Sequence, residues 1–435
     1  MTASDARPEP ANTDHAGPEG VGSAGSTNSS GPSAPFSGAT TDAAHAVPAA
    51  PQGPVTRLQP GNPDPGTSKA GNRQVGNRLA GAPQAGDSVG ANALADETGP
   101  RLAIIMINWN RWSDTIECLE SLMRTDQPVR IVVIDNASSD DSVERMKAWA
   151  DGQAPYDPPS GPLGRLTRPV LAKPIPYVEL TDAESLARAP GPELLTFIRS
   201  AENLGFAGGN NLAMRHALKD PGVAYCWCLN NDTVVEPDAP RAIIARMDAT
   251  HKVGMCGTQV RFYHRPGTWQ QLNGSRFKLL TGQSSGIGAN QPVTRPFDPK
   301  KVARETDFVL GASIAVSRAF LETVGFMEES YFLYFEEMDW SVRNRGRFAI
   351  AFAHGAIVYH KEGGSIGSSG KKGERSEASE YYLMRSRLKF YRRNFPFLWP
   401  LQYPLGLSLI ARRLLRRQPK KAVAMTRALL GMSRT

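Results

Sequence analysis

The sequence predicts an α/β fold in which helices flank a mostly parallel, Rossmann-like sheet. Residues 102–107 and 131–134 are uninterrupted apolar runs, which are typical of strands buried on both faces of a parallel sheet. A segment with helical spacing of its apolar residues follows each run. Because alternating strands and helices imply right-handed crossovers between parallel strands, we expect the folded part to begin as a β-α-β-α series.

The first hundred residues differ in composition from the rest of the chain. Residues 1–100 are rich in Gly, Pro, Ala, Ser, Asn and Asp and poor in aromatic residues. Such a segment cannot bury enough apolar surface to offset the entropy lost on ordering, so we expect it to be disordered. It has no charged start followed by an apolar run and does not indicate a secretory signal. The remainder divides into one α/β domain, residues 101–394, and a tail, residues 395–435.

Positive charge is concentrated in that tail. The formal net charge is +8, yet from Arg385 onward the chain has thirteen Lys and Arg and no Asp or Glu, so the rest is net negative. The cations flank an apolar run, residues 395–411, that prolines interrupt. Because a transmembrane helix needs about 20 apolar residues, the pattern favours an anchor on an anionic membrane surface, with no nucleic-acid partner. A basic helix packed on the core is the alternative.

The four cysteines indicate a reducing compartment. Cys118, Cys226, Cys228 and Cys256 form no C-x-x-C pair. We therefore expect reduced core residues of a cytoplasmic protein, not a disulfide or zinc framework.

Two segments depart from the strand–helix pattern. Residues 151–196 are Pro-rich and weakly periodic, which indicates a surface insertion between core elements. Residues 258–301 mix aromatic, Gly and polar residues without a helical period. We expect the second segment to form a smaller antiparallel portion.

The most informative stretch is a strand that ends in polar residues. Residues 225–229 are apolar and aromatic, and Asn230, Asn231 and Asp232 follow directly. Ligands of open α/β sheets bind outside the carboxyl ends of strands, and Mg²⁺ typically takes one or two carboxylates plus substrate phosphates. Asp232, with the Asn230 amide as a weaker ligand, is therefore a candidate for a divalent cation. An Asx turn that closes the strand is the alternative.

A glycine-rich stretch, residues 203–211, leads into the next predicted helix. Glycines before a helix allow backbone N–H groups to approach a phosphate or sugar at its positive end. A tight turn with close helix–sheet packing is the alternative.

Acidic residues follow an aromatic run, residues 332–335, that predicts a strand. Glu336, Glu337 and Asp339 lie within four positions at the start of a predicted helix. They either complement the helix dipole or form part of a site, because carboxylates at the end of a buried strand are costly without cations or solvent.

One histidine ends a further predicted strand. His360 follows residues 357–359 and precedes a glycine-rich loop, residues 363–370. A flexible loop beside a phosphate site is typical of a lid. A structural histidine is the alternative.

Taken together, these motifs resemble family 2 glycosyltransferases of the GT-A fold over about residues 102–394. Within that family, the sequence is most similar to the rhamnosyltransferase-like and galactofuranosyltransferase-like branch that builds bacterial surface polysaccharides. The resemblance rests on seven ordered pieces of sequence, which lie at residues 107–110, 134–138, 203–211, 229–232, 311–313, 336–339 and at His360.

The resemblance implies a dTDP- or UDP-sugar donor, inversion at the anomeric carbon and a divalent cation, Mg²⁺ or Mn²⁺. Asp135 matches the residue that reads the uracil or thymine base. Asp232, Asn230 and His360 match metal or diphosphate ligands. Glu337 matches the catalytic base, with Glu336 and Asp339 as neighbouring candidates. The residues expected to bind the nucleotide sugar are Asn108, Asn110, Asp135, Asn203, Gly205, Gly208, Asn210, Asn230, Asn231, Gly311 and Ala312.

The expected function is therefore inverting transfer of a sugar, with rhamnose as a candidate, to a saccharide or polyprenyl-diphosphate-linked acceptor. The antiparallel portion at 258–301 is expected to cover the acceptor side, and the enzyme is expected at the inner face of the plasma membrane. One alternative is a nucleotidyltransferase or other sugar-nucleotide enzyme, which needs a basic diphosphate-binding signature near the first strand. Residues 108–111 offer a single Arg there. The other alternative is a non-catalytic, membrane-associated scaffold.

Overall fold

A ten-stranded sheet runs through the centre of the protein. The computed structural model describes residues 99–361 and 375–434, which belong to one compact unit. The segment for which disorder is predicted, residues 1–100, lies outside the described residues except for its last two. The loop at residues 363–370, for which a lid is predicted, also lies outside them.

The described residues form thirteen strands and eleven α-helices. The strands are β1 Leu102–Asn108, β2 Val129–Asp135, β3 Tyr177–Thr181, β4 Leu195–Arg199, β5 Tyr225–Leu229, β6 Thr233–Val235, β7 Val253–Phe262, β8 Arg265–Leu272, β9 Gly274–Lys278, β10 Gln283–Gly286, β11 Phe308–Val309, β12 Ser313–Ser317 and β13 Ala349–His360. The helices are α1 Trp112–Leu122, α2 Ser142–Ala150, α3 Asp182–Ala187, α4 Gly205–Ala217, α5 Ala239–Asp248, α6 Pro299–Glu305, α7 Arg318–Val324, α8 Glu336–Asn344, α9 Glu377–Asn394, α10 Gln402–Leu415 and α11 Pro419–Leu429.

The sheet has the strand order β3-β4-β2-β1-β5-β12-β7-β13-β6, with β8 paired to β7. The five strands from β3 to β5 are parallel, β12 runs antiparallel between β5 and β7, and β7 and β13 are again parallel. The predicted α/β fold with a mostly parallel sheet is confirmed. From β1 the chain moves outward to β2, β3 and β4 and then returns to β5 on the other side of β1. The carboxyl ends of β1 and β5 therefore flank a topological switch point, where open α/β sheets bind ligands.

Strand β1 is buried on both faces, as its apolar run predicts. Leu102, Ile104 and Met106 pack into one core cluster, whereas Ala103 and Ile105 pack into the cluster on the opposite face. Because side chains alternate along a strand, this division places β1 in the middle layer between two sets of helices.

The aromatic run at 332–335 does not form the predicted strand. Phe332, Tyr334 and Phe335 have φ angles of 66°, 68° and 72°, a left-handed region that bulky L-residues rarely adopt. The carbonyl of Phe332 accepts a hydrogen bond from the backbone N–H of Phe206 in α4 at 2.9 Å. Its ring stacks on Tyr382 of α9, with centroids 4.9 Å apart. The strand prediction is wrong here because contacts with two distant helices fold the run into a tight loop.

The Pro-rich segment at 151–196 contains more regular structure than its composition indicates. It supplies the edge strand β3 and the helix α3. Leu163 and Leu166, from the 3₁₀-helix Pro162–Thr167, are buried with Val234 and Tyr359. The segment therefore contributes to the core and is not only a surface insertion. Its apolar residues show no period because they contact different elements.

The predicted antiparallel portion within residues 258–301 is present. Strand β8 pairs antiparallel with β7, and β9 pairs antiparallel with β10 and β11 in a separate three-stranded sheet.

The C-terminal helices α10 and α11 pack against α9. Tyr381 and Met384 of α9 form a buried cluster with Ile410 of α10 and with Met425 and Leu429 of α11. One face of α10 is thus a packing face, as the alternative interpretation of the tail expects. Across the described part of the chain, no helix has both the length and the apolar character needed to span a bilayer.

The four cysteines are free and buried, as predicted. Burial raises the pKa of the Cys118, Cys226 and Cys256 thiols to about 12. Protonated, buried thiols are poor nucleophiles, so these residues serve as core side chains.

Candidate active site

The carboxyl ends of β1 and β2 are joined by a network of buried polar side chains. Asn108 pairs in register with Asp135, and its Nδ2 donates to Oδ1 of Asp135 at 2.7 Å. The backbone N–H of Ser138 donates to Asp135 Oδ2 at 3.0 Å. In the loop after β1, Asn110 Oδ1 accepts from the backbone N–H of Ser139 at 2.7 Å. The network fixes the Asp135 carboxylate, and its role in reading a base stays a prediction.

Thr115 connects this network to the end of β5. Its hydroxyl donates to Asn108 Oδ1 at 2.8 Å and accepts from Asn231 Nδ2 at 2.9 Å. The three residues are buried and bridge the switch point between β1 and β5. The sequence analysis did not predict Thr115 as a site residue. Its position in the helix that follows β1 was the one feature that could have indicated it.

Asp232 and His360 meet at the next strand end. His360 Nε2 lies 3.1 Å from Asp232 Oδ1 and 3.3 Å from Asn230 Nδ2. On its other side, His360 Nδ1 lies 2.8 Å from Gln270 Oε1. Because an amide oxygen only accepts hydrogen bonds, Nδ1 carries a proton and Nε2 faces the Asp232 carboxylate. Gln270 was not predicted, since nothing in β8 marks it out.

The Asp232–His360 pair is suited to a divalent cation. Burial raises the pKa of the Asp232 carboxyl, but the charge and hydrogen bond of His360 outweigh burial and lower the pKa overall. Asp232 is thus ionised at neutral pH. In the described residues, no group of three or more His, Cys, Asp and Glu side chains is arranged to hold a metal. Two protein ligands nevertheless fit a cation that substrate phosphates and waters complete, and the Asn230 amide can turn to present its oxygen.

A partly buried lysine, Lys361, follows His360 directly. Lys361 Nζ lies 2.6 Å from Asp114 Oδ1 and 2.5 Å from Glu117 Oε2, both on α1. Burial lowers the pKa of Lys361, but Glu117 and Asp114 outweigh burial and raise the pKa overall. Its backbone N–H also donates to the carbonyl of Asp232 at 2.9 Å. Lys361 therefore ties the end of β13 to α1 and to the Asp232 turn.

A turn at residues 310–312, between β11 and β12, joins the end of β5 to helix α8. The carbonyl of Ala312 accepts from the backbone N–H of Asn230 at 3.0 Å. A Cβ atom at Gly311 would lie only 1.7 Å from Glu337 Oε1. The Glu337 carboxyl thus occupies the space that a side chain at position 311 would need. This contact brings the predicted base to the strand end that bears Asn230.

Helix α8 begins with two adjacent carboxyl side chains, those of Glu336 and Glu337. Burial and then the charge of Glu337 raise the pKa of Glu336 well above its ordinary value, and burial also raises the pKa of Glu337. Oε1 of Glu336 has no hydrogen-bond partner among the residues that the structure describes. Each carboxylate opposes ionisation of the other, so the pair loses its first proton only above the ordinary pKa of a glutamate.

Asp339 is held in a structural network. It is fully buried, and its carboxylate accepts from Arg343 Nε at 2.6 Å, Asn394 Nδ2 at 2.8 Å and the Tyr331 hydroxyl at 3.1 Å. These contacts join α8 to α9 and indicate a structural role. They do not support Asp339 as a catalytic candidate.

The glycines at the start of α4 lie against protein atoms. Gly205 has a φ of 69°, and a Cβ there would lie 2.6 Å from the carbonyl oxygen of Phe332. A Cβ at Gly208 would lie 2.8 Å from Cβ of Leu204. Close packing in a tight turn, the alternative interpretation, accounts for both glycines.

The asparagines of this stretch also bind within the protein. Asn203 Oδ1 accepts from the backbone N–H of Gly205 at 2.9 Å and from Asn136 Nδ2 at 3.1 Å. Asn210 Nδ2 donates to the carbonyl of Phe206 at 3.0 Å. The Asn203 bonds hold the turn that precedes α4, and the Asn210 bond lies within the first turns of the helix. The expected contacts with a nucleotide sugar stay predictions.

The sequence matches a known family over most of the sheet. Residues 103–159 and 181–325 match the family described as glycosyl transferase family 2. Over just under half of its length, the chain is therefore similar to family 2 glycosyltransferases. The matched region contains the ends of β1, β2 and β5 and the Gly311 turn. Glu337 and His360 lie beyond its last matched residue, and residues 160–180, which are unmatched, fall within the Pro-rich segment.

Solved glycosyltransferases have distantly similar structures. A mannosyltransferase from Pyrobaculum calidifontis in complex with GDP-Man and Mn²⁺ is 16% identical with a TM-score of 0.41, and the match covers 77% of this chain and 76% of that one. TarS residues 1–349 from S. aureus in complex with UDP-GlcNAc is 12% identical with a TM-score of 0.41, covering 76% and 81%. Glucosyl-3-phosphoglycerate synthase from Mycobacterium tuberculosis is 13% identical with a TM-score of 0.37, covering 68% and 80%. No curated protein matches the sequence.

Proposed function

We propose that this protein is an inverting GT-A glycosyltransferase that moves a sugar from a nucleoside-diphosphate donor to an acceptor hydroxyl. The match to glycosyl transferase family 2 supports glycosyl transfer. The observation that carries the finer proposal is the position of Glu337. Its carboxyl lies against Gly311, and the adjoining carbonyl of Ala312 binds Asn230. A base therefore stands beside the strand end that also carries Asp232.

In this proposal Glu337 is the general base. It takes the proton of the acceptor hydroxyl while the hydroxyl oxygen forms a bond to the anomeric carbon of the donor sugar. The bond from that carbon to the diphosphate oxygen breaks, and the nucleoside diphosphate leaves with the electron pair. Attack from the face opposite the leaving group inverts the anomeric centre. Because its pKa is raised, the Glu337 carboxylate is a stronger base than that of an ordinary glutamate.

Asp232, His360 and the Asn230 amide are the residues that would hold Mg²⁺ or Mn²⁺. The bound cation supplies charge neutralisation for the departing diphosphate. Asp232 contributes an ionised carboxylate, and Gln270 orients the ring of His360 so that Nε2 faces the same point.

We further propose a dTDP- or UDP-sugar donor, with rhamnose as the candidate sugar, and a saccharide or polyprenyl-diphosphate-linked saccharide as acceptor. The support is the resemblance to the branch that builds surface polysaccharides, together with Asp135, which the Asn108 network fixes beside the switch point. A lipid-linked acceptor requires the enzyme to work at the membrane, and we propose the cytoplasmic face of the plasma membrane.

The test is a panel of dTDP-, UDP- and GDP-sugars incubated with the full-length protein, with and without Mg²⁺ or Mn²⁺. Mass spectrometry is expected to detect release of a nucleoside diphosphate and free sugar from one donor class, because water replaces the acceptor slowly. Formation of a nucleoside monophosphate or pyrophosphate would favour the alternative of a nucleotidyltransferase. If no nucleotide sugar in the panel is consumed, even with a simple saccharide added as acceptor, the non-catalytic scaffold is the better interpretation.

A further inference from the structure

Helix α10 is apolar on the side that faces away from its packing partners. Gln402, Gly406 and Ile410 are buried, and they lie on one face at successive intervals of four residues. A Cβ at Gly406 would lie 2.8 Å from Leu429, so this face is packed closely against α11. In an ordinary surface helix the opposite face is polar.

The opposite face of α10 carries apolar residues. Tyr403, Leu407, Ala411 and Leu414 are exposed and follow one another at intervals of four, four and three residues, so they share one face. Leu407 and Leu414 are 58% and 56% exposed. Leu415 beside them is 86% exposed. The solvent side of α10 is therefore a continuous apolar stripe.

Cations border this stripe. Arg412, Arg416, Arg417 and Lys420 are exposed, at the end of α10 and the start of α11. By contrast, Arg413 lies 2.5 Å from Glu380, and its side chain is largely buried. The exposed cations are thus separate from the one that stabilises the helix packing, and the chain from Arg385 onward offers no carboxylate to neutralise them.

We infer that this tail surface, defined as Tyr403, Leu407, Leu414 and Leu415 with Arg412, Arg416, Arg417 and Lys420, is a docking site for an anionic lipid bilayer. The apolar stripe enters the boundary between headgroups and acyl chains, while the cations bind lipid phosphates. A tyrosine at one end suits the headgroup level, where its ring has apolar and wet neighbours. A second copy of the chain is a poorer occupant, because a symmetric contact would bring two sets of unneutralised cations together. The inference concerns attachment alone and does not depend on the chemistry of the active site.

The test is co-sedimentation of the full-length protein with vesicles of phosphatidylcholine alone or mixed with phosphatidylglycerol. The parent is expected to sediment with the mixed vesicles at low salt. A variant with Arg412, Arg416, Arg417 and Lys420 changed to Gln is expected to bind at least about tenfold more weakly, because each cation near an anionic leaflet is worth about fivefold in affinity. The double variant Leu407→Gln, Leu414→Gln is expected to lose the part of the binding that resists high salt.

The matched control is Leu186→Gln, which removes a leucine that is 50% exposed on α3. It is expected to bind like the parent. Donor hydrolysis without vesicles, measured on the same samples, is expected to be equal in all variants and reports separately on the proposed chemistry. The inference is overturned if the parent ignores mixed vesicles at low salt, if it binds both vesicle types equally, or if the cation variant binds like the parent. A parent dimer that dissociates in the leucine variant, without vesicle binding, would instead make the surface a contact between two copies.

Discussion

Nε2 of His360 lies 3.1 Å from Oδ1 of Asp232, although 128 positions of sequence separate the two residues. The Nδ1 atom of His360 donates to Gln270, so a proton shared between Nε2 and the carboxylate would make the ring a cation, and a divalent cation can take the place of that proton. Both residues lie at strand ends on one side of the sheet. The pair is therefore the natural point from which to test the proposed site.

The first prediction concerns the charge of Asp232. Asp232→Asn keeps the shape of the side chain and removes the charge that a cation needs. Donor binding in the presence of Mg²⁺ or Mn²⁺ is expected to weaken to the level seen without metal, and turnover is expected to be lost. Titration calorimetry with the donor, with and without metal, measures the effect. Equal donor affinity of the parent protein with and without either metal would refute the metal site.

The second prediction concerns Gln270, which holds the ring of His360. Gln270→Leu removes the acceptor of the Nδ1 proton, and metal affinity is expected to fall by about 10–100-fold, as for other partners that orient a metal-binding histidine. Gln283→Leu, on an exposed strand of the small sheet, is the control and is expected to behave like the parent. Unchanged metal affinity in Gln270→Leu would mean that the hydrogen bond serves only packing.

The third prediction concerns Glu337 as the base. Glu337→Gln cannot accept a proton, so turnover is expected to fall by about 10²–10⁴-fold while donor affinity is retained. Glu336→Gln is the control, because the carboxyl that lies against Gly311 is that of Glu337. Its effect is expected to be much smaller. Near-normal turnover in Glu337→Gln, or equal losses in the two variants, contradicts the assignment.

The fourth prediction concerns Gly311. Gly311→Ala would place a methyl group on Glu337 Oε1 and must displace the carboxyl. Because small displacements of a catalytic group are costly, turnover is expected to fall by about 10²-fold with little change in donor affinity. Gly267→Ala is the control, since a Cβ there meets no atom within 4 Å. Full activity in Gly311→Ala would show that the position of Glu337 is unimportant.

The fifth prediction follows from the raised pKa values at the start of α8. The base acts only when ionised, and burial raises the pKa of Glu337, so activity is expected to decline on the acid side at a pH above the ordinary pKa of a glutamate, about 4.3. A profile of kcat/KM against pH, with circular dichroism to show that the fold persists, measures this limb. In Glu336→Gln, the decline is expected at the same pH as in the parent protein. A decline in kcat/KM at the ordinary pKa of a glutamate would contradict a base whose pKa is raised.

The sequence was informative where local pattern decides structure. Apolar runs followed by Asn108, Asp135 and Asn230 indicated strand ends, because a buried parallel strand leaves a clear signal and its end is where polar residues return. The aromatic run at 332–335 also predicted a strand, and that prediction was wrong. The run forms a tight loop because it contacts Phe206 and Tyr382, which lie on two distant helices.

The supporting residues of the site could not be predicted for a related reason. The hydrogen bond between Asn231 and Thr115 spans 116 residues, and that between His360 and Gln270 spans 90. The sequence around a single polar residue in a helix or a strand does not indicate a hydrogen-bond partner that lies so far away along the chain. The glycines at the start of α4 are the converse case, in which a pattern typical of phosphate binding serves close packing with Phe332 and Leu204.

Strand β13, which ends in His360, is synthesised well after Asp232. The Asp232–His360 pair is therefore completed late in translation. Strand β6, which begins one residue after Asp232, lies at the end of the sheet and pairs with β13 alone. At about 5–20 residues per second, the ribosome delivers β13 roughly 6 to 25 seconds after Asp232. Throughout that interval the nascent chain has Asp232 without His360 and a strand without its neighbour. Under the proposed function, a growing chain therefore lacks the candidate cation site until residue 360 has been made.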